Sequence, residues 1–80
     1  MGWTRKQIAA EAIALDRGAA GKLEGARDAD RAVADPVTPP HARAVAKAAG
    51  RTLRSQARDM RADAAALRDG AHPTELGYTN

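Results

Sequence analysis

Between Arg43 and Arg58 the chain places Arg43, Lys47, Arg51, Arg54 and Arg58 at steps of four, four, three and four, with no acidic residue among them. Side chains three and four apart lie on one side of a helix, so these five make one cationic stripe, about 22 Å long at helical rise. The chemistry open to it is electrostatic. Five cations over that length can meet several phosphates, with Thr52 and Ser55 beside them as neutral donors, giving affinity without reading a base sequence. The charge is local: Thr4 to Asp35 carries six basic and six acidic residues, whereas Pro36 to Arg58 carries five basic and none acidic. A solvated face is the plain alternative for such a run.

Other chemistry has little to work with. His41 and His72 bracket one helical stretch, about a helix length apart, and neither has a nucleophile or ligand set at motif spacing. His72 and Glu75 make only two metal ligands, with Pro73 between them. There is no cysteine, so neither a disulfide framework nor a thiolate metal site exists, and a reducing compartment fits. The sequence therefore assigns no catalytic residue, no metal ligand and no cofactor. Lys6-Gln7-Ile8-Ala9-Ala10-Glu11-Ala12 resembles the first helix of a helix-turn-helix protein over those seven residues alone. Where that motif has a turn glycine soon after Ala12, this chain has Ile13-Ala14-Leu15.

The elements that carry these residues are well marked. Thr4 and Gln7 have the spacing of a capping box, Trp3 is placed to staple onto Ile8, and helix 1 is predicted from 5 to 34. Its apolar positions Ile8, Ala12, Leu15, Ala19, Leu23, Ala26 and Val33 follow the helical period. Asp35-Pro36-Val37-Thr38-Pro39-Pro40 ends it, with a turn at 35–38, Thr38 as cap and Pro39 as first residue of helix 2, predicted over 39–69 and stopped by Gly70. Along helix 2 an apolar row, Val45, Ala49, Leu53, Ala57, Met60, Ala64 and Leu67, lies about 200° from the cations. Folding back at the prolines pairs Ile8 with Leu67, Leu15 with Met60, Leu23 with Leu53 and Val33 with Val45, as antiparallel packing requires. The predicted fold is all-α: an Ala-rich, coiled-coil-like antiparallel two-helix hairpin over 1–70.

Ala14, Gly18, Gly21 and Gly25, continued by Ala29 and Ala32, recur at helical spacing on one side of helix 1. Small residues there would let another helix dock closely; a break at Gly18 to Gly25, giving three helices, is the competing reading. The tail, 71–80, reads as an extended arm with Leu76 and Tyr78 as apolar anchors on a neighbouring subunit.

Composition limits what such a hairpin can do alone. Among 80 residues there are 21 Ala, no Phe, one Trp and one Tyr, so the side chains that usually fill a core are scarce. Completion by oligomerisation or a partner is expected. Neither a signal peptide nor a membrane span is evident, and ten Arg against three Lys with abundant Ala, Gly and Asp is the bias of GC-rich coding. These features point to a non-enzymatic structural or interaction protein of a bacterial cytoplasm or phage particle, docking into a homo-oligomer or larger protein assembly, with no small-molecule substrate. The alternative is a nucleic-acid-binding accessory protein.

Overall fold

A computed structural model describes residues 2–78. Two helices, α1 (Arg5–Ala34) and α2 (Pro40–Arg68), pack against each other as a hairpin, and a short 3-10 turn, Pro73–Leu76, follows. The result is a rod with extents of 52 × 18 × 17 Å, and the described residues contain no strand.

Each helix end has a local cause. The Thr4 hydroxyl accepts from the Gln7 backbone N–H at 3.1 Å while Gln7 Oε1 accepts from the Thr4 N–H at 2.8 Å, so two N–H groups that an α-helix start leaves unpaired are satisfied reciprocally. α1 then runs unbroken through all three glycines and straight past Ala12. The three-helix alternative and the short helix-turn-helix likeness both fail on that continuity. At its end Asp35 Oδ1 accepts the Val37 N–H at 2.9 Å, an Asx-type turn, and the Asp35 carbonyl accepts the Thr38 N–H at 3.1 Å. α2 begins one residue later than expected: Pro39, not Thr38, is its cap residue, no side chain caps it, and Pro40 takes the first helical position, where a missing N–H costs nothing. Its other end closes on Gly70 at φ 103°, the left-handed conformation that favours glycine, with the Ala71 N–H bonded to the Ala66 carbonyl at 2.9 Å.

The seam is built from small side chains. Ala12, Leu15, Ala19 and Ala26 of α1 are buried against Gly50, Ala57, Ala64 and Leu67 of α2. In α2 the inward row is Ala46, Gly50, Leu53, Ala57, Met60, Ala64, Leu67, alternating steps of four and three. From Leu53 onward this is the expected row. Before it the expectation fails: Val45 is 56% exposed and Ala49 is exposed, so Val45 does not join Val33 in the core. Ile13, off the apolar row of α1, is likewise exposed, at 48%. The reason for α2 is the helical step: counting back from Leu53 by three and four gives Gly50 and Ala46, with half-buried Arg43 next on that face, whereas steps of four and four to Ala49 and Val45 drift off it.

Two glycines, Gly18 and Gly25, admit side chains of α2 that a Cβ would displace, and a third, Gly50, is buried facing α1. A Cβ on Gly18 would collide with Met60 Cε, one on Gly25 would stand 3.1 Å from Leu53 Cδ1, and one on Gly50 would stand 3.6 Å from the Ala29 Cβ. Gly21 has nothing near it. Met60 and Leu53 therefore rest over Gly18 and Gly25, three and two residues along α1 from their expected partners Leu15 and Leu23. Leu15, with Ala12, Ala64 and Leu67, forms the core cluster, flanked by Ile8, Met60, Leu76 and Tyr78.

These glycines have separable effects. Gly21→Ala should raise stability by roughly 0.5–1 kcal/mol, the helix-propensity difference, because no neighbour opposes the added methyl. Gly18→Leu should lower it by about 1–3 kcal/mol by forcing Met60 aside. Thermal melts at one fixed protein concentration distinguish the two signs.

Candidate interaction surfaces

The five cations of the sequence stripe divide into two groups. Arg43 is half-buried and its Nη2 donates to the Asp35 and Thr38 carbonyls at 3.2 and 3.1 Å, closing the turn between the helices. Its Nε is buried without a partner. Arg54 pairs across the seam with Asp30 of α1. Lys47, Arg51 and Arg58 are exposed and make no ion pair among the described residues. Arg61, three residues beyond Arg58 on the same side, is also exposed and without such a pair, and extends the row. In the sequence the run ends at Arg58 because Asp59 follows, yet adjacent residues sit about 100° apart on a helix and Asp59 does not interrupt the face.

On this side of the hairpin two ion pairs tie the helices, Asp30 to Arg54 and Asp16 to Arg68, the latter at 2.6 Å. All four side chains are about half exposed, so each pair contributes on the order of 0–1 kcal/mol and acts mainly on register.

The opposite side differs. Gly18 and Gly25 are half-exposed beside Met60 and Leu53, while Ala14 and Gly21 of α1 and Val45 and Ala49 of α2 are exposed. None of these positions is ionisable, and half-buried Lys22 borders them. The small-residue stripe is thus partly used within the chain, since Met60 and Leu53 occupy the places of Gly18 and Gly25. Ala14 and Gly21 remain open.

Over 71–78 the tail is not an extended arm; the last two residues of the expected 71–80 arm lie outside the described residues. Pro73 is fully buried, residues Pro73–Leu76 turn as a 3-10 helix, and both expected anchors, Leu76 and Tyr78, pack on this chain's own core cluster. The Tyr78 hydroxyl donates to Asp63 Oδ2 at 3.0 Å. Composition alone did not show this, because the signal lies in His72-Pro73-Thr74 and Gly77: His72 Nδ1 accepts the Thr74 N–H at 3.3 Å, and Gly77 at φ 87° closes the turn. His72 caps the turn, while His41 is exposed at the start of α2, at the other end of the rod. The described residues contain no group of three or more possible metal ligands, and no helix among them is long and apolar enough to cross a membrane.

No family model, no curated protein and no solved structure matches the chain. Its surfaces alone carry the functional reading.

Burial pushes the Tyr78 phenol above its ordinary value of 10.0, and the hydrogen bond to Asp63, with the negative charges of Asp63 and Glu11, pushes it the same way. A raised value means the folded chain holds this proton more tightly than the unfolded one. The stabilisation is complete below pH about 10 and is lost as pH rises through the folded value. Ultraviolet titration of this single tyrosine should give a midpoint above that of free tyrosine, and Asp63→Asn should lower it. An ordinary midpoint in both chains would mean the tail is detached.

Proposed function

We propose that the chain is a non-enzymatic helical interaction module that docks into an oligomer or larger protein assembly. Its receiving surface is the uncharged side around Ala14, Gly21, Val45 and Ala49, beside Gly18 and Gly25. The observation that carries this reading is the exposure of uncharged residues along one side of the hairpin, Ala14 and Gly21 on α1 and, nearer the turn, Val45, a large apolar side chain, with Ala49 on α2. At these four positions a docked helix meets no ionisable side chain and little side-chain bulk, with Lys22 at the border, so backbones approach closely and dispersion contacts are many. The thin core supports the same reading: among the described residues the buried apolar side chains of the helices are five alanines and two leucines, few for a stable free monomer. Coiled-coil packing of the hairpin, and a place in a bacterial cytoplasm or phage particle, belong to this proposal.

Gly21→Glu tests it. Nothing surrounds Gly21, so the hairpin tolerates the change and gains helix propensity, whereas a carboxylate in the middle of a docked surface blocks association. Light scattering across a dilution series should show assembly in the wild type and a monomer of equal or greater helicity in the variant. A wild type that stays a stable monomer at all concentrations and with cell extract would sink the proposal.

A second reading rests on Lys47, Arg51 and Arg58, with Arg61, as a phosphate-contacting face for nucleic acid. Its support is their exposure in one row without an acidic partner among the described residues. Changing Arg51 and Arg58 together to Gln should leave helicity unchanged and weaken binding to DNA or RNA of any sequence. The salt dependence should flatten by roughly one unit for each phosphate no longer neutralised. Wild-type binding that disappears at physiological salt would mark the row as a solvated face.

A further inference from the structure

The open end of the hairpin holds a groove of about 510 Å³ between the start of α1, the end of α2 and the turn that follows. That size falls within the roughly 300–1,000 Å³ of small-molecule sites. Its chemistry is divided. Ile8 and Ala12, on one face of α1, and Leu67 of α2 make an apolar floor, while Arg5, Arg68 and His72 stand at the rim, and no acidic residue lines it. From this geometry we infer that the groove binds a single-chain amphipathic carboxylate, with its hydrocarbon on Ile8, Ala12 and Leu67 and its head group between Arg5 and His72.

Each part of the ligand answers a part of the groove. A small inorganic anion would leave the apolar floor wet, and a neutral hydrocarbon would leave the basic rim without a partner. The rim groups retain donors. Arg5 is exposed with no ion pair among the described residues. The His72 ring meets Thr74 through Nδ1, leaving Nε2 facing away from that contact. Arg68 is held by Asp16 through Nη2 at 2.6 Å, and the rest of its five-donor fork is uncommitted to that pair. A carboxylate accepts from such donors in charge-assisted bonds, the stronger class of hydrogen bond. Because the groove touches both helices and the turn beyond them, a bound ligand clamps the hairpin at its open end and raises its melting temperature with concentration.

Calorimetry of the full chain with dodecanoate, kept below its micelle concentration, tests this. Saturable binding of one dodecanoate per chain is expected, with dodecanol and acetate each at least about tenfold weaker, since one supplies only the chain and the other only the head. Arg5→Gln should weaken dodecanoate about tenfold. Ala9 is exposed at the groove wall, so Ala9→Phe should fill the groove and abolish binding while circular dichroism stays unchanged. Equal affinity for dodecanol, many molecules per chain, or undiminished binding by Ala9→Phe would overturn the inference. So would flotation with anionic phospholipid vesicles showing the same dependence on Arg5 and Ala9, because the occupant would then be a membrane surface and not a free carboxylate.

Discussion

Close approach of two helix backbones is the constraint on which this molecule depends. Without Phe, and with few Leu, Ile or Val, dispersion energy cannot come from large interdigitated side chains. It has to come from backbone brought against side chain. Met60 over Gly18 and Leu53 over Gly25 are two instances along the seam, and in each the missing Cβ admits the neighbour, while Gly50 is buried facing Ala29 with room for ordinary contact. Alanines at 12, 19, 26, 57 and 64 fill the intervals. The intrinsic cost of glycine in a helix, about 1 kcal/mol each, is thus offset at Gly18 and Gly25 by contact that alanine would obstruct or crowd.

The same constraint divides the surface. A seam of small residues leaves the larger side chains near its edges, and the two edges differ: one carries the Asp16–Arg68 and Asp30–Arg54 pairs and the cationic row, the other carries Gly21, Val45 and Ala49. Arg43 links seam and surface. It lies half-buried in line with Ala46 and Gly50 and donates to two carbonyls of the turn, so a residue of the cationic run serves the connection between the helices.

Helix ends and the whole inward row of α1 are legible in the sequence, because a capping box, a proline turn and a terminal glycine act locally and because Ile8 to Val33 keep one period. The first part of α2 is not. Val45 and Ala49 extend a plausible apolar row because both are apolar, yet the step of three from Leu53 back to Gly50 carries the buried face through Gly50 and Ala46, where the residues are too small to mark it by hydrophobicity. Gly50 carries the signal: a glycine in step with Ala46 and Leu53 marks the buried face. The tail escapes the sequence for a similar reason, since its order comes from a single turn, built by His72, Pro73 and Gly77, that lays Leu76 and Tyr78 back on the core. Of the candidate surfaces, Lys47, Arg51 and Arg58 keep the exposure expected of them, while Arg43 and Arg54 serve the hairpin.

Spin-label distance measurement between Lys6→Cys and Asp69→Cys bears most directly on the hairpin, since both sites are exposed at its open end and the chain has no cysteine of its own. With labelled chains diluted into excess unlabelled protein, antiparallel packing within one chain predicts a single narrow distribution set by the 18 Å width of the rod and the label arms. A broad distribution, one centred near the 52 Å length, or a short distance that disappears on dilution would contradict it.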